Sequence, residues 1–341
     1  MDLLILGGTG FLGRHLAAAA LARGHAVTLL NRGRTAPGLF PAAEEIHGDR
    51  RDLPAHLLRG RTWDAAIDTS GMHPAMVRAS AGLLADAVPH YTYVSSISVY
   101  AGLGRPGTTE DAPTMAPLDD VPAEVSEETY GALKAMGERE AEQAMPGRVL
   151  VVRPGLIVGP YDASDRFGYW VRRVARGGRV LAPGRPDRPV QFVDARDLTD
   201  WMLRMVEERR TGVFNAVGPA RPLHMEWLLE TCRVESRSDA TFAWASDEFL
   251  LKEGVLPWKE LPLWIPDMAA EQRSFLEVSA ARAVAAGLTF RKILDTVRDV
   301  RVWEEERHAR GPVESAALSP KREEQLLRDL ARPAPIRAGK G

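Results

Sequence analysis

A tyrosine and a lysine four residues apart suggest chemistry by their types and spacing. Tyr130 and Lys134 occur in the run Glu-Thr-Tyr-Gly-Ala-Leu-Lys-Ala, where a spacing of four puts both side chains on one face of a helix. A lysine ammonium is a compact charge that lowers the pKa of a neighbouring phenol and donates to hydroxyl groups. The pair therefore predicts a proton-transferring phenol, the alternative being a surface tyrosine beside a solvated lysine.

Serines follow the apolar run 89–95, in the segment Val-Ser-Ser-Ile-Ser at 94–98. A strand that ends here places the hydroxyl of Ser96 just past its carboxyl end, where it can donate to a substrate oxygen. We expect Ser98 to be a secondary substrate contact. The alternative is that these serines only form a turn.

Glycines at positions 7, 10 and 13 follow the apolar run Leu3 to Leu6 and precede a stretch of helix-forming residues. In a dinucleotide site the first glycine makes a tight turn, the second lets backbone N–H groups approach a pyrophosphate, and the third lets the helix pack on the strand. The phosphates then lie at the positive end of the helix dipole. The alternative is a plain turn. We predict cofactor contacts from Gly7, Thr9, Gly10, Phe11, Leu12 and Gly13.

The residues after the second predicted strand bear on the choice of cofactor. Sites selective for NAD usually place an acidic residue there, which binds the ribose 2′-hydroxyl. Here the segment reads Asn31-Arg32-Gly33-Arg34, with two arginines and no carboxylate. Arginines can hold a 2′-phosphate with two hydrogen bonds. NADP(H) is therefore favoured over NAD(H), with Asn31, Arg32 and Arg34 as contacts, unless both arginines are merely solvated.

Strand-like runs alternate with helical stretches over the first half of the chain. The strands fall at 2–6, 26–30, 64–68, 89–95 and 148–153, with helices such as 11–23 and 74–87 between them. Apolar strands separated by helices imply a parallel sheet that is covered on both faces. We therefore predict an α/β fold with a doubly wound parallel sheet (Rossmann) and its ligand crevice at the carboxyl ends of the strands.

The alternation stops after about residue 155, which suggests a smaller C-terminal substrate-binding lobe. We assign 1–155 to the dinucleotide-binding domain, with strands near 190–217 (about 190–193 and 212–216) returning to its sheet. Residues 156–305 form the lobe. Residues 306–341 hold a polar helix, from Ser319-Pro320 to Leu330, and a tail predicted to be disordered.

Aromatic residues in the predicted lobe offer flat stacking surfaces. We predict substrate contacts from Tyr169, Trp170 and Trp258, the alternative being core packing. The long loop 101–128, rich in proline, glycine and acidic residues, is predicted to cover the site.

Composition narrows the classes of function. A chain of 341 residues with 45% apolar residues can bury one large core or two lobes. A net charge of −2 argues against nucleic acid or an anionic membrane as partner. Cys232 is the single cysteine, which excludes an internal disulfide and fits a reducing compartment. With no apolar run of membrane-spanning length and no room for a signal peptide, we expect a cytoplasmic protein. The scattered histidines predict no metal site.

Several motifs in the same order resemble the extended short-chain dehydrogenase/reductase superfamily, and more narrowly its NAD-dependent epimerase/dehydratase branch. They are Gly-Gly-Thr-Gly-Phe-Leu-Gly, the Ser-Ser-x-Ser-Val-Tyr loop, Tyr-x-x-x-Lys, Arg-Pro-Gly at 153–155, Phe-Val-Asp-Ala-Arg-Asp at 192–197 and Phe-Asn-Ala-Val-Gly at 214–218. The similarity extends over about residues 1–305.

The resemblance implies roles for individual residues. Tyr130 would be the general acid/base, Lys134 would tune it and hold the nicotinamide ribose, and Ser96 would orient the reacting oxygen, while hydride moves to or from the nicotinamide. Further cofactor contacts are expected at Asp49, beside the adenine, and at Asp68, Thr69, Ser70 and Pro154. The resemblance also implies a homodimer formed through the helix that bears Tyr130.

The reaction predicted first is reduction of a ketone on a small or medium-sized substrate by NADP(H). Sugar-nucleotide members of the superfamily commonly carry an arginine for the diphosphate where this chain has Val190 and Gln191. Arg188 is nearby, so a nucleotide-sugar epimerase or dehydratase with retained NAD stays the alternative. A third class is a non-catalytic RNA-binding or redox-sensing relative, which shares the Asn-Arg-Gly run.

Overall fold

The computed structural model describes residues 1–219, 221–311, 313 and 315–332, so most of the predicted disordered tail lies outside the described residues. The strands are β1 (Asp2–Leu6), β2 (Ala26–Asn31), β3 (Glu44–His47), β4 (Ala65–Asp68), β5 (Tyr91–Val94), β6 (Val149–Pro154), β7 (Leu156–Val158), β8 (Arg179–Pro183), β9 (Pro189–Val190), β10 (Phe192–Asp194), β11 (Gly212–Ala216), β12 (Leu223–His224) and β13 (Thr241–Ala245). The helices are α1 (Phe11–Ala22), α2 (Pro74–Leu84), α3 (Glu127–Ala144), α4 (Arg166–Ala175), α5 (Ala195–Glu207), α6 (Met225–Ser236), α7 (Asp247–Lys252), α8 (Ala281–Ala285), α9 (Ile293–Ala309) and α10 (Pro320–Leu330).

A parallel sheet in the order β11-β6-β5-β4-β1-β2-β3 forms the centre of the fold. Alternate residues of β1 enter different cores: Leu3 and Ile5 pack with α1 and α5, whereas Leu4 and Leu6 pack with α2. A strand that is apolar on both faces needs helices on both faces. The predicted doubly wound Rossmann sheet is confirmed, and all its β-strand carboxyl ends lie at one edge.

One predicted strand pairing is wrong. The strand expected at about 190–193 does not join the main sheet, in which β6 is paired with β5 and β11. Instead β10 pairs in parallel with β7, directly beyond the end of β6, and β9 pairs antiparallel with β12. The strand at 212–216 does return to the sheet, as predicted.

The chain divides into two compact units. The first unit comprises Met1–Gly159, Gln191–Pro222 and Ser274–Arg291, and the second comprises Pro160–Val190, Leu223–Arg273 and Lys292–Gly341. Residues 274–291 therefore group with the sheet and not with the predicted lobe 156–305. The role of the second unit in binding substrate stays a prediction.

The second unit is built on the parallel pair β8–β13 and on α4, α6 and α9, which contact one another. Its last helix, α10, contacts β8. Ser319 caps α10 by accepting from the N–H of Arg322, and Pro320 is its first residue. Within the residues described, no helix has the length and apolar character needed to cross a membrane.

Candidate active site

The glycine-rich turn, residues 7–13, connects β1 to α1. Gly7 has φ +95°, which favours glycine, and a Cβ on Gly13 would lie 2.1 Å from the carbonyl oxygen of Gly7. Packing within the protein therefore requires both glycines. A Cβ on Gly10 would meet nothing closer than 3.9 Å, and Gly10 starts α1 without a side-chain cap. Gly10 thus leaves backbone N–H groups open to close approach, so the turn fits a pyrophosphate.

The other predicted residues of the turn differ in what their side chains do. Leu12 packs in the sheet core, and Phe11 meets the His15 ring edge-on at 5.6 Å. Thr9 is buried. We therefore expect these residues to bind a cofactor through their backbone N–H groups and not through their side chains.

Asp68, predicted as a cofactor contact, is used inside the protein. Its side chain is fully buried, and each carboxylate oxygen accepts from the Arg50 guanidinium at 2.6 Å. The Tyr91 hydroxyl donates to it as well, at 2.9 Å. Although burial opposes ionisation, Arg50 holds the pKa of Asp68 below its usual range. These bonds tie the carboxylate to other residues of the protein, and its contact with a cofactor stays a prediction.

Arg50 is a residue that the sequence analysis missed. It is 5% exposed and also donates to the hydroxyl of Ser70 at 2.9 Å. Ser70 in turn donates to the carbonyl of Leu6, as does Thr69. The pair of Arg50 and Asp68 thus anchors the loop after β4 beside the glycine-rich turn. Its only sequence signal is an arginine next to Asp49, in a chain rich in exposed arginines.

The residues at the ends of β2 and β3 lie at the carboxyl edge of the sheet, where the cofactor is predicted to bind. Asn31 ends β2 and accepts from the N–H of Gly33 at 2.7 Å. Arg32 and Arg34 are exposed and form no ion pair with any residue that the structure describes. Asp49 is half-buried and caps a short 3₁₀ helix by accepting from the Arg51 N–H.

Ser96 lies just past β5, where the sequence analysis places it. The side chain is 8% exposed; its oxygen accepts from the N–H of Ser98 at 3.1 Å and its hydroxyl donates to the Ser98 hydroxyl at 3.1 Å. Ser96 therefore shapes the turn, as the alternative interpretation proposed. The hydroxyl also stays at the carboxyl edge, so both roles are compatible.

Helix α3 brings Tyr130 to this turn. Ser126 and Thr129 form a capping box at the start of α3, whose first residue, Glu127, lies three residues before Tyr130. A Cβ on Gly131 would lie 2.1 Å from the carbonyl oxygen of Ser98, so only glycine allows this close approach. The helix that carries the phenol therefore packs directly against the serine turn. The sequence analysis did not single out Gly131, although it lies inside the motif.

Lys134 lies one helical turn after Tyr130, and its ammonium is buried at the ends of two strands. Its Nζ donates to the carbonyl oxygens of Gly71 at 2.8 Å and Val94 at 2.6 Å, and lies 4.4 Å from the centroid of the Tyr93 ring. Burial lowers the pKa of Lys134 to about 8, against the opposing effect of Asp68. Two of the three N–H donors of the ammonium are therefore occupied, and these two bonds set the direction of the third N–H.

A second buried ion pair continues the same face of α3. Glu138, four residues after Lys134, accepts from Arg153 at 2.7 and 2.9 Å. Arg153 also donates to the Tyr100 hydroxyl at 3.1 Å. This pair fastens α3 to β6, whose last residue is the buried Pro154. The spacing of four from Lys134 is the signal that could have identified Glu138.

The predicted aromatic substrate contacts in the second unit are mostly core residues. Trp170 is fully buried and donates to the carbonyl of Pro262 at 2.8 Å, and Tyr169 is 4% exposed. Burial raises the pKa of the Tyr169 phenol above its ordinary value. Both side chains pack in the core, as the alternative of core packing describes, and their role as substrate contacts stays a prediction. Trp258 is half-buried.

Arg188, considered for a diphosphate, is also engaged. Its guanidinium donates to both carboxylate oxygens of Asp247, at 2.7 and 2.8 Å, and to Asp267 at 3.2 Å. These bonds hold the positive charge within the second unit. Elsewhere too, the residues that the structure describes contain no cluster of histidine, cysteine or carboxylate side chains suited to a metal ion.

Comparisons with known proteins identify the family and the fold. The model of the NAD dependent epimerase/dehydratase family matches residues 3–67 and 74–217. A UDP-glucose 4-epimerase structure is 14% identical, with a TM-score of 0.68 over 92% of this chain and 100% of that one. UDP-glucuronic acid 4-epimerase from Bacillus cereus in complex with NAD is 15% identical, with a TM-score of 0.65 over 90% and 100% of the two chains. UDP-glucose 4-epimerase from Bifidobacterium longum in complex with NAD⁺ and UDP is 16% identical, with a TM-score of 0.64 over 90% and 99%.

The family match covers more than half of the chain, and the chain belongs to the NAD-dependent epimerase/dehydratase family of the extended short-chain dehydrogenase/reductase superfamily. At this level of identity the solved structures establish the fold alone. No curated protein matches the sequence significantly.

Proposed function

We propose that this protein is a NAD-dependent epimerase or dehydratase of a nucleotide sugar. The observation that carries the proposal is the buried Lys134 ammonium, fixed by Gly71 and Val94 at the sheet edge one helical turn from Tyr130. Because Tyr130 and Lys134 share one face of α3, a charged Lys134 can act on the phenol. This arrangement suits proton transfer at a carbinol oxygen.

Each side chain then has a defined task. Tyr130 takes the proton from the substrate hydroxyl at its phenolic oxygen and later returns it. Lys134 lowers the pKa of that phenol and donates its remaining N–H to a ribose hydroxyl, and Ser96 orients the reacting oxygen. A nicotinamide cofactor, when bound, supplies the hydride acceptor and donor. The glycine-rich turn, with Gly10 at its centre, would hold the pyrophosphate.

The substrate class rests on the relatives. The structures that share this fold include epimerases for UDP-glucose and UDP-glucuronic acid, and several are complexes with NAD. Carried over to this chain, they favour the nucleotide-sugar alternative above the ketone reductase that the sequence analysis placed first. They also favour NAD over NADP.

One observation keeps the reductase as a second candidate. Arg32 and Arg34 follow β2, are exposed, and have no carboxylate bound to them in the described part of the chain. They could hold the 2′-phosphate of NADP(H). The homodimer and the cytoplasmic location stay predictions from sequence.

The test begins with the purified protein and its cofactor. Tightly held NAD⁺, with interconversion of UDP-sugars and no net oxidation of NADPH on a panel of ketones, supports the proposal. Consumption of NADPH identifies the reductase. The Tyr130→Phe variant should lower kcat by about 10²- to 10⁴-fold because it removes the proton-transferring hydroxyl.

Cofactor affinity should survive in Tyr130→Phe, since the ring remains. Tyr161→Phe, at an exposed tyrosine of the second unit, is the matched control and should keep full activity. If Tyr130→Phe retains wild-type turnover, the catalytic assignment is wrong. If no conversion occurs and RNA binding persists in the variant, the non-catalytic class is correct.

A further inference from the structure

Tyr93 is a fully buried tyrosine of β5 that the sequence analysis did not single out. The ammonium of Lys134 lies over its ring, with Nζ 4.4 Å from the ring centroid. Lys134 is itself buried, with 3% of its surface exposed. A buried ammonium has lost its hydration, and the electron-rich face of an aromatic ring is a neutral group that attracts it. The ring therefore supplies part of the stabilisation that water would give.

The hydroxyl of Tyr93 acts on the same ammonium through the backbone. It donates to the carbonyl oxygen of Gly71 at 2.9 Å, and Lys134 donates to that oxygen at 2.8 Å. Burial raises the pKa of the Tyr93 phenol well above its ordinary value, so the hydroxyl stays a donor. The second acceptor of Lys134 is the carbonyl of Val94, the residue after Tyr93. One short segment of β5 thus defines where the ammonium lies.

Two glycines make room for this ring. A Cβ on Gly137, in α3, would lie 2.4 Å from the hydroxyl oxygen of Tyr93, and a Cβ on Gly71 would lie 2.8 Å from its ring carbon Cε2. Glycine inside a helix is destabilising relative to alanine. Gly137 follows Lys134 by three residues, so α3 carries this weakness at the turn where the ring must fit. The ring and the two glycines therefore form one arrangement around the lysine.

The charged groups that act on Lys134 are largely compensated by other charges. Asp68 and Glu138 raise the pKa of Lys134, whereas Arg50 lowers it. Each carboxylate is already bound to an arginine, Asp68 to Arg50 and Glu138 to Arg153. A carboxylate paired in this way attracts a second cation weakly. Since burial lowers the pKa of Lys134 to about 8, its charge at neutral pH is sensitive to any further group that favours the ammonium.

We propose that Tyr93 is the positioning residue of Lys134. Its ring face holds the ammonium in the charged form at the carboxyl edge of the sheet. Its hydroxyl fixes the Gly71 carbonyl, which helps to set the direction of the third N–H of the ammonium. Charge and direction are what Lys134 contributes to the Tyr130 phenol, and only this last step rests on the proposed function.

The test measures the charge of Lys134 directly, without cofactor or substrate. The full chain is isotope-labelled at the lysine Cε, and the resonance of Lys134 is identified among the six lysines by its loss in Lys134→Met. Its chemical shift is titrated by NMR from about pH 6 to about pH 10 in wild type, Tyr93→Phe and Tyr93→Leu. Phenylalanine analogues with one and three ring fluorines at position 93 keep the shape of Phe and weaken the electron-rich face stepwise.

Tyr100→Phe, with the same fluorinated analogues at position 100, is the matched control. Tyr100 is 2% exposed, and its hydroxyl also donates to a carbonyl oxygen, that of the Asn215 side chain, at 2.6 Å. Its ring lies against the guanidinium of Arg153, whose central carbon is 5.0 Å from the ring centroid. Both series therefore remove one buried hydrogen bond and change one buried ring, and they differ in the cation that the ring contacts.

The pKa of Lys134 should stay close to the wild-type value in Tyr93→Phe and fall stepwise as fluorines are added. In Tyr93→Leu it should fall by at least about one pH unit, which is a tenfold loss in the ratio of charged to neutral lysine. The series at position 100 should leave it unchanged. A pKa that does not fall across the fluorinated series at position 93, or that falls equally in the series at position 100, overturns the proposal. Because the analogues keep the shape of Phe, they give this answer even if Tyr93→Leu does not fold.

The two proposals fail separately. If the pKa of Lys134 follows the ring at position 93 but the wild type converts no UDP-sugar, the role of Tyr93 stands and the proposed function falls. If UDP-sugars are converted and the pKa does not depend on the ring, the function stands and the role of Tyr93 falls. Where both hold, the decline of kcat with rising pH should move to lower pH with the fluorinated analogues, by as much as the pKa of Lys134 moves.

Discussion

The two units differ in how their predicted site residues are placed. In the first unit, Ser96, Tyr130 and Lys134 all come to the carboxyl edge of the sheet or to the helix that packs on it. In the second unit, Tyr169 and Trp170 lie in the core. A motif that follows a strand of a parallel sheet places its side chains at the carboxyl edge of that sheet. Aromatic side chains, by contrast, are equally suited to a core and to a ligand surface.

Two arginines show the same contrast. Arg50 is buried, with Asp68, Ser70 and Ser80 accepting its donors. Arg166 is half-buried, and its donors have no acceptor among the residues described. Arg50 is thus tied into the fold by these bonds, although its Nε has no hydrogen-bond partner, whereas the half-buried Arg166 contacts the Trp258 ring.

Arg50→Met should give the largest loss. It leaves the Asp68 carboxylate buried without its partner, and we expect the free energy of unfolding to fall by about 3–5 kcal/mol. Chemical denaturation followed by circular dichroism measures this. Arg166→Met should cost less than about 1 kcal/mol in the same assay, because it breaks no hydrogen bond in the described chain. Equal losses would remove the contrast between the two arginines.

Trp170→Ala should destabilise the protein by about 3–5 kcal/mol, since a fully buried indole and its hydrogen bond to Pro262 are lost. Trp258→Ala should cost clearly less, because that side chain is half-buried. Thermal melts of both variants give the comparison. A mild effect at Trp170 would contradict a packing role and would favour its predicted role as a substrate contact.

Lys134 should make stability and activity depend on pH in opposite ways. Its pKa is about 8 in the folded protein, below the ordinary value of 10.5. Between these values the unfolded chain holds a proton that the folded chain has released. The free energy of unfolding contributed by this group therefore rises with pH across that window, by on the order of 3 kcal/mol.

Denaturation of wild type and Lys134→Met at pH 7.5, 9 and 10.5 isolates that contribution, which the variant should lack. The kcat of the wild type should fall as pH rises through about 8, because the ammonium is lost. Parallel stability curves for the two proteins would contradict the prediction.

Gly10→Ala should have the smallest effect on the fold and a selective one on the cofactor. The new methyl group meets no protein atom closer than 3.9 Å, but it occupies the space next to the turn. We expect NAD⁺ affinity to fall about tenfold, or about 1.4 kcal/mol, with stability changed by less than about 1 kcal/mol. Gly13→Ala, whose Cβ would lie 2.1 Å from Gly7, should disturb both. Unchanged affinity in Gly10→Ala would place the pyrophosphate elsewhere.

The parallel sheet, the glycine-rich turn and the helix bearing Tyr130 and Lys134 could be predicted from the amino-acid sequence alone. These depend on local spacing: apolar strands, three glycines and a four-residue interval each restrict the backbone directly. The chain also carries the start of its last helix in Ser319-Pro320.

Which polar and aromatic side chains are buried and bonded inside the protein depends on tertiary contacts. Arg50 meets Asp68 from 18 residues away, and Arg153 meets Glu138 across the gap between β6 and α3. Nothing in the local sequence distinguishes these arginines from solvated ones. Burial and pairing depend on which segments the fold brings together, and that is why the internal bonds of Asp68 and the full burial of Trp170 could not be predicted from the sequence.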